Sequence, residues 1–346
     1  MTRYSKTQFN WLFSALLFSS STTYAIDFKE CGNIKADSSR LACYDALVHQ
    51  KQILRTEHET IVSKENITTS SHDKPSSQRG SEPGVLTQRI HDERAAQNNP
   101  FLIKAYKPNY ILVATYTPSN LDNSVYGFNP QHAEAKYQLS FQFNWWDQPF
   151  GKNTAFYFGY TQLSFWQMYN SNLFGSSASA PFRETDYEPE IGLDLTTNTH
   201  FAGLDFRKVR ASFIHQSNGQ GGLRSRSWNR LALQTGFERG NFAGAIRGWY
   251  RIPESRATDD NPDITDYLGY GDLTLAYKFG TGTLSTTIRN NLKSNNRGSI
   301  ELDYSFPFNK HIQGYVQYYT GYGESLIDYN RSINRIGIGF ALTNWL

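Results

Sequence analysis

The sequence predicts an all-β protein, a twelve-stranded antiparallel transmembrane β-barrel with a small N-terminal periplasmic head and a disordered linker. Three observations lead there. Aromatic residues reach 15% of the 346, with 22 Tyr and 23 Phe, and charged residues stay at 19%. No apolar run approaches the roughly 20 residues a membrane helix needs. From Tyr106 onward, alternating segments about ten residues long follow one another, separated by Gly, Asn, Asp and Pro, as barrel strands are. The net charge of +3 is too small to argue for a nucleic-acid partner.

Residues 1–25 read as a secretory signal. Arg3 and Lys6 give a basic start, Trp11 to Phe18 a short apolar core, and Thr23 and Ala25 a cleavage site. An exported chain that enters a membrane without helices must close its sheet, because only a barrel then satisfies its own backbone in lipid. Residues 26–50 form the head. It carries the chain's two cysteines, Cys31 and Cys43, expected to pair as a disulfide in an oxidising compartment. They lie outside any constellation with His, which sets a metal site below a disulfide, and Lys29-Glu30 ahead of Cys31 is no acylation signal. "RLACYDALVHQ" reads as one helix behind the bridge. Residues 51–97, with "SSHDKPSSQRGSEPG" among them, are polar and turn-forming, and read as the linker.

Residues 98–346 are the barrel. Its twelve candidate strands begin with "NYILVATYT", "KYQLSFQFNWW", "TAFYFGYTQLSFWQMY", "TDYEPEIGLDLT" and "RKVRASFIHQS". They continue with "NRLALQTGFER", "NFAGAIRGWYRI", "TDYLGYGDLTLAYKF", "GTLSTTIRNNL", "RGSIELDYSFPF", "HIQGYVQYYTGYG" and "INRIGIGFALT". The last is the clearest. Ile336, Ile338, Phe340 and Leu342 share one face, and Gly337, Gly339 and Ala341 the other, so lipid meets one side and a filled interior the other. A soluble β-sandwich or propeller is the rival architecture. The absence of a 40–50-residue repeat counts against a propeller.

The same alternation exposes an anomaly. Val209, Ala211 and Phe213 share a face that His215 and Ser217 continue. On the next strand Leu231, Leu233 and Phe237 share a face that Asn229 joins. Three polar side chains therefore project toward lipid near the ends of neighbouring strands, where unpaired polar groups are costly. A chain of hydrogen bonds from Ser hydroxyl to imidazole to Asn carbonyl oxygen offsets that cost. It is also the arrangement that activates a nucleophile, with Ser217 attacking, His215 as base and Asn229 holding the imidazole tautomer. Ordinary rim residues are the alternative reading, since H-x-S by itself has almost no specificity.

At these residues the sequence resembles the outer-membrane phospholipases A of Gram-negative bacteria. The resemblance rests on "HQSNG" (215–219), "SRSWNRL" (225–231), "YTQLSFWQ" (160–167), "PFRETDYEPE" (181–190), "DDNPDITDYLGY" (259–270) and "GYGESLIDYN" (321–330). It covers residues 98–346 and leaves out the head and linker. It implies hydrolysis of sn-1 and sn-2 acyl esters of phospholipids and lysophospholipids, with His215 as base, Ser217 as nucleophile and Asn229 as orienting member. It implies calcium dependence, about one ion per active site, and an outer-membrane homodimer as the active state. Through the resemblance the calcium ligands fall on Ser179 of the partner subunit, Gln220, Ser225 and Asp260. Gly219 N–H becomes an oxyanion donor and Gln162 a polar dimer-interface residue. Asp260 on its own reads equally as a turn-forming Asp before Pro, and Ser179 and Ser225 as loop serines. The chain departs from the family at "QGGLRS", where Gly222 stands in place of an acidic residue. A passive porin or structural barrel is the alternative function, with the same strands and no use for the outward trio.

Overall fold

A computed structural model describes residues 31, 33–46, 83–95, 103–119, 121, 126, 128–170 and 180–344. The expected signal segment, residues 51–82 of the expected linker and the terminal Trp345-Leu346 lie outside the described residues. The chain divides into two units, residues 1–79 and residues 80–346. In the first, residues 37–46 are helical and Cys31 is bridged to Cys43 with their Cα atoms 5.6 Å apart.

The second unit is the barrel. Its strands are β1 (Lys104–Ala105), β2 (Asn109–Tyr116), β3 (Ala133–Asp147), β4 (Thr154–Trp166), β5 (Phe182–Phe201), β6 (Leu204–Ser217) and β7 (Ser227–Arg239). There follow β8 (Phe242–Ile252), β9 (Gly271–Phe279), β10 (Gly282–Asn290), β11 (Gly298–Pro307), β12 (Gln313–Tyr322) and β13 (Ser332–Thr343). From β2 to β13 each strand pairs antiparallel with its sequence neighbours, and β13 pairs with β2 to close a ring of twelve. The two-residue β1 is the start of the first strand, broken at Lys107-Pro108. Both β1 and β2 lie beside β3, at Gln142–Phe141 and at Gln138–Tyr137 respectively. Pro108 has no N–H for the ladder. Ser140 fills the gap, its hydroxyl accepting from Lys107 N and its carbonyl from Asn109 Nδ2.

The alternation holds. Along β13 every second side chain is exposed, including Ile336 at 54% and Leu342 at 66%, and the intervening positions are buried. Gly339 is small by necessity, since a Cβ there would stand 1.9 Å from the Ile111 carbonyl oxygen. The outward face carries the apolar belt. The lumen is filled by ion pairs that no local pattern announces. Arg183 on β5 reaches Glu134 on β3 and Asp328 in the loop before β13. Arg335 on β13 meets Glu134 and Glu324, and Lys136 meets Glu324. Lower in the lumen, Arg210 pairs with Asp194, Arg230 and Lys107 with Glu188, and Arg247 with Asp272. Desolvating such charges is expensive, and the upper ones are held by more than one partner each, while Arg247 makes two bonds to Asp272 alone.

Two expectations need correction. The linker was expected to be disordered to residue 97, but Val85–Ala95 is a helix. Its first turn docks on the barrel. Leu86 N, Thr87 N and the Thr87 hydroxyl all donate to the Glu238 carboxylate, and Val85 N donates to Gly240 O. A carboxylate at the positive end of a helix satisfies its orphan N–H groups, and a polar segment gains order it could not reach through burial alone. The segment 265–270, expected within a strand, begins as a short helix, Thr265–Leu268. It ends at Gly269, whose φ of 66° and close approach to the Asn290 carbonyl leave no room for a side chain.

Candidate active site

The site forms where β6 and β8 end and β7 begins, at the rim that bears the long loops; the opposite rim has short turns such as 202–203, 240–241 and 280–281. Ile214, Gln216, Trp228 and Arg230 face inward. Ile214 and Trp228 join a buried cluster with Trp249, Ile264, Leu268, Leu326 and Tyr329, and Gln216 accepts from Trp228 Nε1 and Arg230. Their alternates His215, Ser217 and Asn229 therefore face outward, beside the exposed Phe213 and Leu231. The trio is half-buried rather than bare.

Register brings the trio together. His215 is paired directly with Asn229, and Asn229 with Ile252. Cross-strand partners stand about 5 Å apart at Cα, within reach of short polar side chains. His215 Nδ1 lies 2.9 Å from Asn229 Oδ1. A carbonyl oxygen only accepts, so the imidazole proton sits on Nδ1 and Nε2 is left with a lone pair, the tautomer a base requires. Ser217 follows two residues on along the same face, about 6.6 Å at Cα. The expected bond from its hydroxyl to the imidazole is not formed in the structure. Such contacts commonly tighten only when substrate is bound.

Past Ser217 the chain turns sharply over residues 218–226. Gly219 has a φ of +62°, and a Cβ there would press on the Tyr187 ring at 3.1 Å, so a residue without one is needed. Asn218 holds the turn. It faces the lumen, donates from Nδ2 to Glu184 and to Arg224 O, and accepts at Oδ1 from Gln220 N and Arg226 N. The sequence pattern alone assigns Asn218 no role, yet its even number marks it as inward-facing.

Of the expected calcium ligands, Ser225 and Asp260 meet directly, with the Ser225 hydroxyl donating to Asp260 Oδ2. Gln220 lies in the same turn, its backbone N–H bound to Asn218 Oδ1 at 3.3 Å. Ser179 lies outside the described residues. Among the described residues no cluster of three His, Cys, Asp or Glu side chains is placed to hold a metal. The donors present are one carboxylate, one hydroxyl and backbone carbonyls, hard oxygens of the type calcium takes. The loop carrying Asp260 is fixed from behind. Arg251 binds Asp259 and Pro262 O, Asn261 accepts from Ser227 N, and Tyr329 donates to Asp263. Burial first, and then the Asp263 carboxylate, push the Tyr329 phenol well above its usual range, so it stays a donor.

Gln162 on β4 sits between Leu139 and Tyr187 across the sheet. It accepts from the Tyr160 hydroxyl and donates to Ser164, and Thr185 donates to Ser164 in turn. A short polar strip across β4 and β5 thus interrupts the belt beside β6. Sequence reasoning missed Glu254, whose Oε1 accepts from Asn229 Nδ2 at 3.2 Å.

Residues 86–342 match the family model described as phospholipase A1. A phospholipase A1 of Klebsiella pneumoniae is 39% identical over 279 residues, 80% of this chain and 91% of its own length. One from Escherichia coli K12 is 38% identical over 265 residues, 76% of this chain and 89% of its own. Among solved structures, a Salmonella typhi outer membrane phospholipase dimer with bound calcium superposes with a TM-score of 0.67 at 38% identity, over 73% of this chain and 96% of that one. The outer membrane phospholipase A of Escherichia coli gives 0.66 at 38% identity, over 71% of this chain and all of that one.

Proposed function

This chain belongs to the phospholipase A1 family of outer-membrane ester hydrolases, and from that premise we propose a mechanism in which Ser217, His215 and Asn229 cleave sn-1 and sn-2 acyl esters of phospholipids and lysophospholipids. The observation that carries the reading is the 2.9 Å contact of His215 Nδ1 with Asn229 Oδ1 on the lipid-facing wall, beside a serine. A passive barrel gains nothing from placing that pair outside.

His215 Nε2 takes the Ser217 proton as Oγ attacks the acyl carbon. Gly219 N–H, two residues past the nucleophile, would donate to the oxyanion. The tetrahedral species collapses as the imidazolium returns its proton to the departing glycerol oxygen, leaving an acyl ester on Ser217. His215 then deprotonates a water that attacks this ester, the fatty acid leaves, and Ser217 recovers its proton. Asn229 keeps the imidazole in the tautomer that both halves need. Leu231, Leu233, Ile246 and Tyr250 line an apolar groove on the outer wall below Asn229, suited to an acyl chain.

Ser225, Asp260 and Gln220 would hold calcium, with Ser179 supplied by the partner subunit. When bound, the ion would polarise the ester carbonyl and steady the oxyanion. Gly222, where the family carries an acidic residue, leaves the set one charge short, which makes the partner's contribution matter more. The dimer would form on the β4 face, with the polar strip around Gln162 facing its copy. The Salmonella typhi relative, a dimer with bound calcium, supports a calcium requirement and a dimeric state.

Fatty-acid release from detergent-dispersed phospholipid tests the reading. Ser217→Ala is expected to lower kcat by about 10³-fold or more. Calcium chelation should abolish release, and added calcium should restore it. Undiminished turnover by the Ser217→Ala protein would overturn the mechanism.

A further inference from the structure

The Asn229 amide has two ends of opposite character, and the mechanism needs only one of them against the imidazole. If the amide turned by 180°, its NH₂ would face Nδ1. Nδ1 would then have to accept, the proton would move to Nε2, and the lone pair that receives the Ser217 proton would be lost. Something must select the useful orientation. The wall around Asn229 is apolar, with Leu231 at 52% and Phe213 at 40% exposure beside it. The exception is Glu254.

The backbone brings Glu254 there. β8 ends at Ile252, directly opposite Asn229. Pro253 has no N–H and stops the ladder, so the chain leaves the sheet at that point. Glu254 is two residues beyond Ile252 and keeps its outward parity, which puts it on the diagonal from Asn229. The loop behind is fixed: Thr258 N and Asp259 N both donate to Ser255 O at 2.9 Å, and Arg251 Nη2 meets Asp259 Oδ1 at 2.7 Å. Glu254 is half-buried, and its Oε1 accepts from Asn229 Nδ2 at 3.2 Å. An ionised carboxylate is an acceptor without a donor, so it can engage the NH₂ end of the amide and not the carbonyl end.

We propose that Glu254 is a positioning residue for the hydrolysis, selecting the Asn229 orientation that keeps His215 Nε2 free as the base. Its negative charge also supplies, through a neutral Asn, part of what an Asp would give an imidazolium in that position. The proposal rests on the Ser217–His215–Asn229 reading and adds a fourth member to it.

The test compares Glu254→Gln and Glu254→Ala with the parent protein in detergent, and repeats Glu254→Gln in an Asn229→Ala background. Initial rates are read against phospholipid and against calcium, and thermal unfolding confirms that each variant is folded. Both single variants should lose about tenfold in kcat, the worth of one charge-assisted hydrogen bond. KM and the calcium midpoint should stay put. In the Asn229→Ala background, Glu254→Gln should change nothing further. Parent-like kcat in both variants would overturn the proposal. So would losses that add to those of Asn229→Ala, or a rate restored by saturating calcium, which would make Glu254 a ligand. Ser217→Ala run alongside separates the two levels. If that variant is inactive and the Glu254 variants match the parent, Glu254 alone is dismissed. If it is active, the triad reading itself fails.

Discussion

At the scale of single residues, parity along two strands decides what each side chain can do. His215 and Ser217 face lipid, and Asn218, the next residue, is bound on the lumen side to Glu184 at 3.0 Å. Asn218 ties the turn carrying Gly219, Gln220 and Ser225 to a carboxylate in the barrel interior, which also accepts Ile327 N at 3.1 Å. Asn218→Ala would leave Glu184 short of a partner and free two backbone N–H groups, a cost of roughly 2–3 kcal/mol. The calcium needed for half-maximal fatty-acid release should rise by about tenfold or more, with fold retained by circular dichroism. An unchanged calcium titration would show that the turn holds its shape without Asn218. The outward trio was legible in the sequence because period two is a local property. The inward role of Asn218 follows from the same counting, but its partner Glu184 is 34 residues away and no local pattern names it. Glu254 gave no signal at all: a lone acid after a proline looks like any solvated loop residue.

At the scale of elements, the twelve strands were readable almost end to end, since lipid outside and a filled lumen inside impose strict alternation on each. The failures lie where something other than alternation sets the conformation. The Thr265–Leu268 helix hides in a Tyr- and Gly-bearing run that matches strand texture. The Val85–Ala95 helix turns two apolar side chains, Leu86 and Ile90, to the lumen, and its first turn is tied to one distant carboxylate, Glu238. That dependence is testable. Glu238 collects three donors from the first helical turn and a fourth from Arg207 Nε at 2.7 Å. Glu238→Gln would replace one acceptor oxygen with an NH₂ that repels the helix N–H groups. Amide exchange at Leu86 and Thr87 should quicken by about tenfold or more, and exchange in the middle of β7 should stay slow. Unaltered protection at both amides would mean that the helix's own Leu86 and Ile90, which line the lumen, hold it by packing.

For the whole molecule, the question is whether the barrel is a pore. The wall alone would allow it, and a porin was the rival reading of the sequence. The lumen argues otherwise. Across its upper half Arg183 and Arg335 share Glu134, joining β3, β5 and β13 through a set of side chains each at most 3% exposed. Lower down Arg210, Arg230 and Arg247 each find a carboxylate. Beside them runs a cavity of about 300 Å³, lined by Arg210, Arg230 and Arg247 themselves and, at one side, by Leu86 and Ile90 of the docked helix. A conducting path would have to break several of these pairs at once, and each buried charge left alone costs roughly 3–5 kcal/mol. In planar bilayers the folded protein should therefore show no sustained porin-like conductance. Glu134→Gln leaves Arg183 with Asp328 and Arg335 with Glu324 as their remaining carboxylates, and should lower the urea midpoint of unfolding in detergent, because both guanidinium groups lose a charged partner in a buried site. If the parent protein conducted steadily, the lumen would be open in the membrane. The ion pairs would then be mobile gates, and the lipid-facing trio could no longer be taken as the chief purpose of this wall.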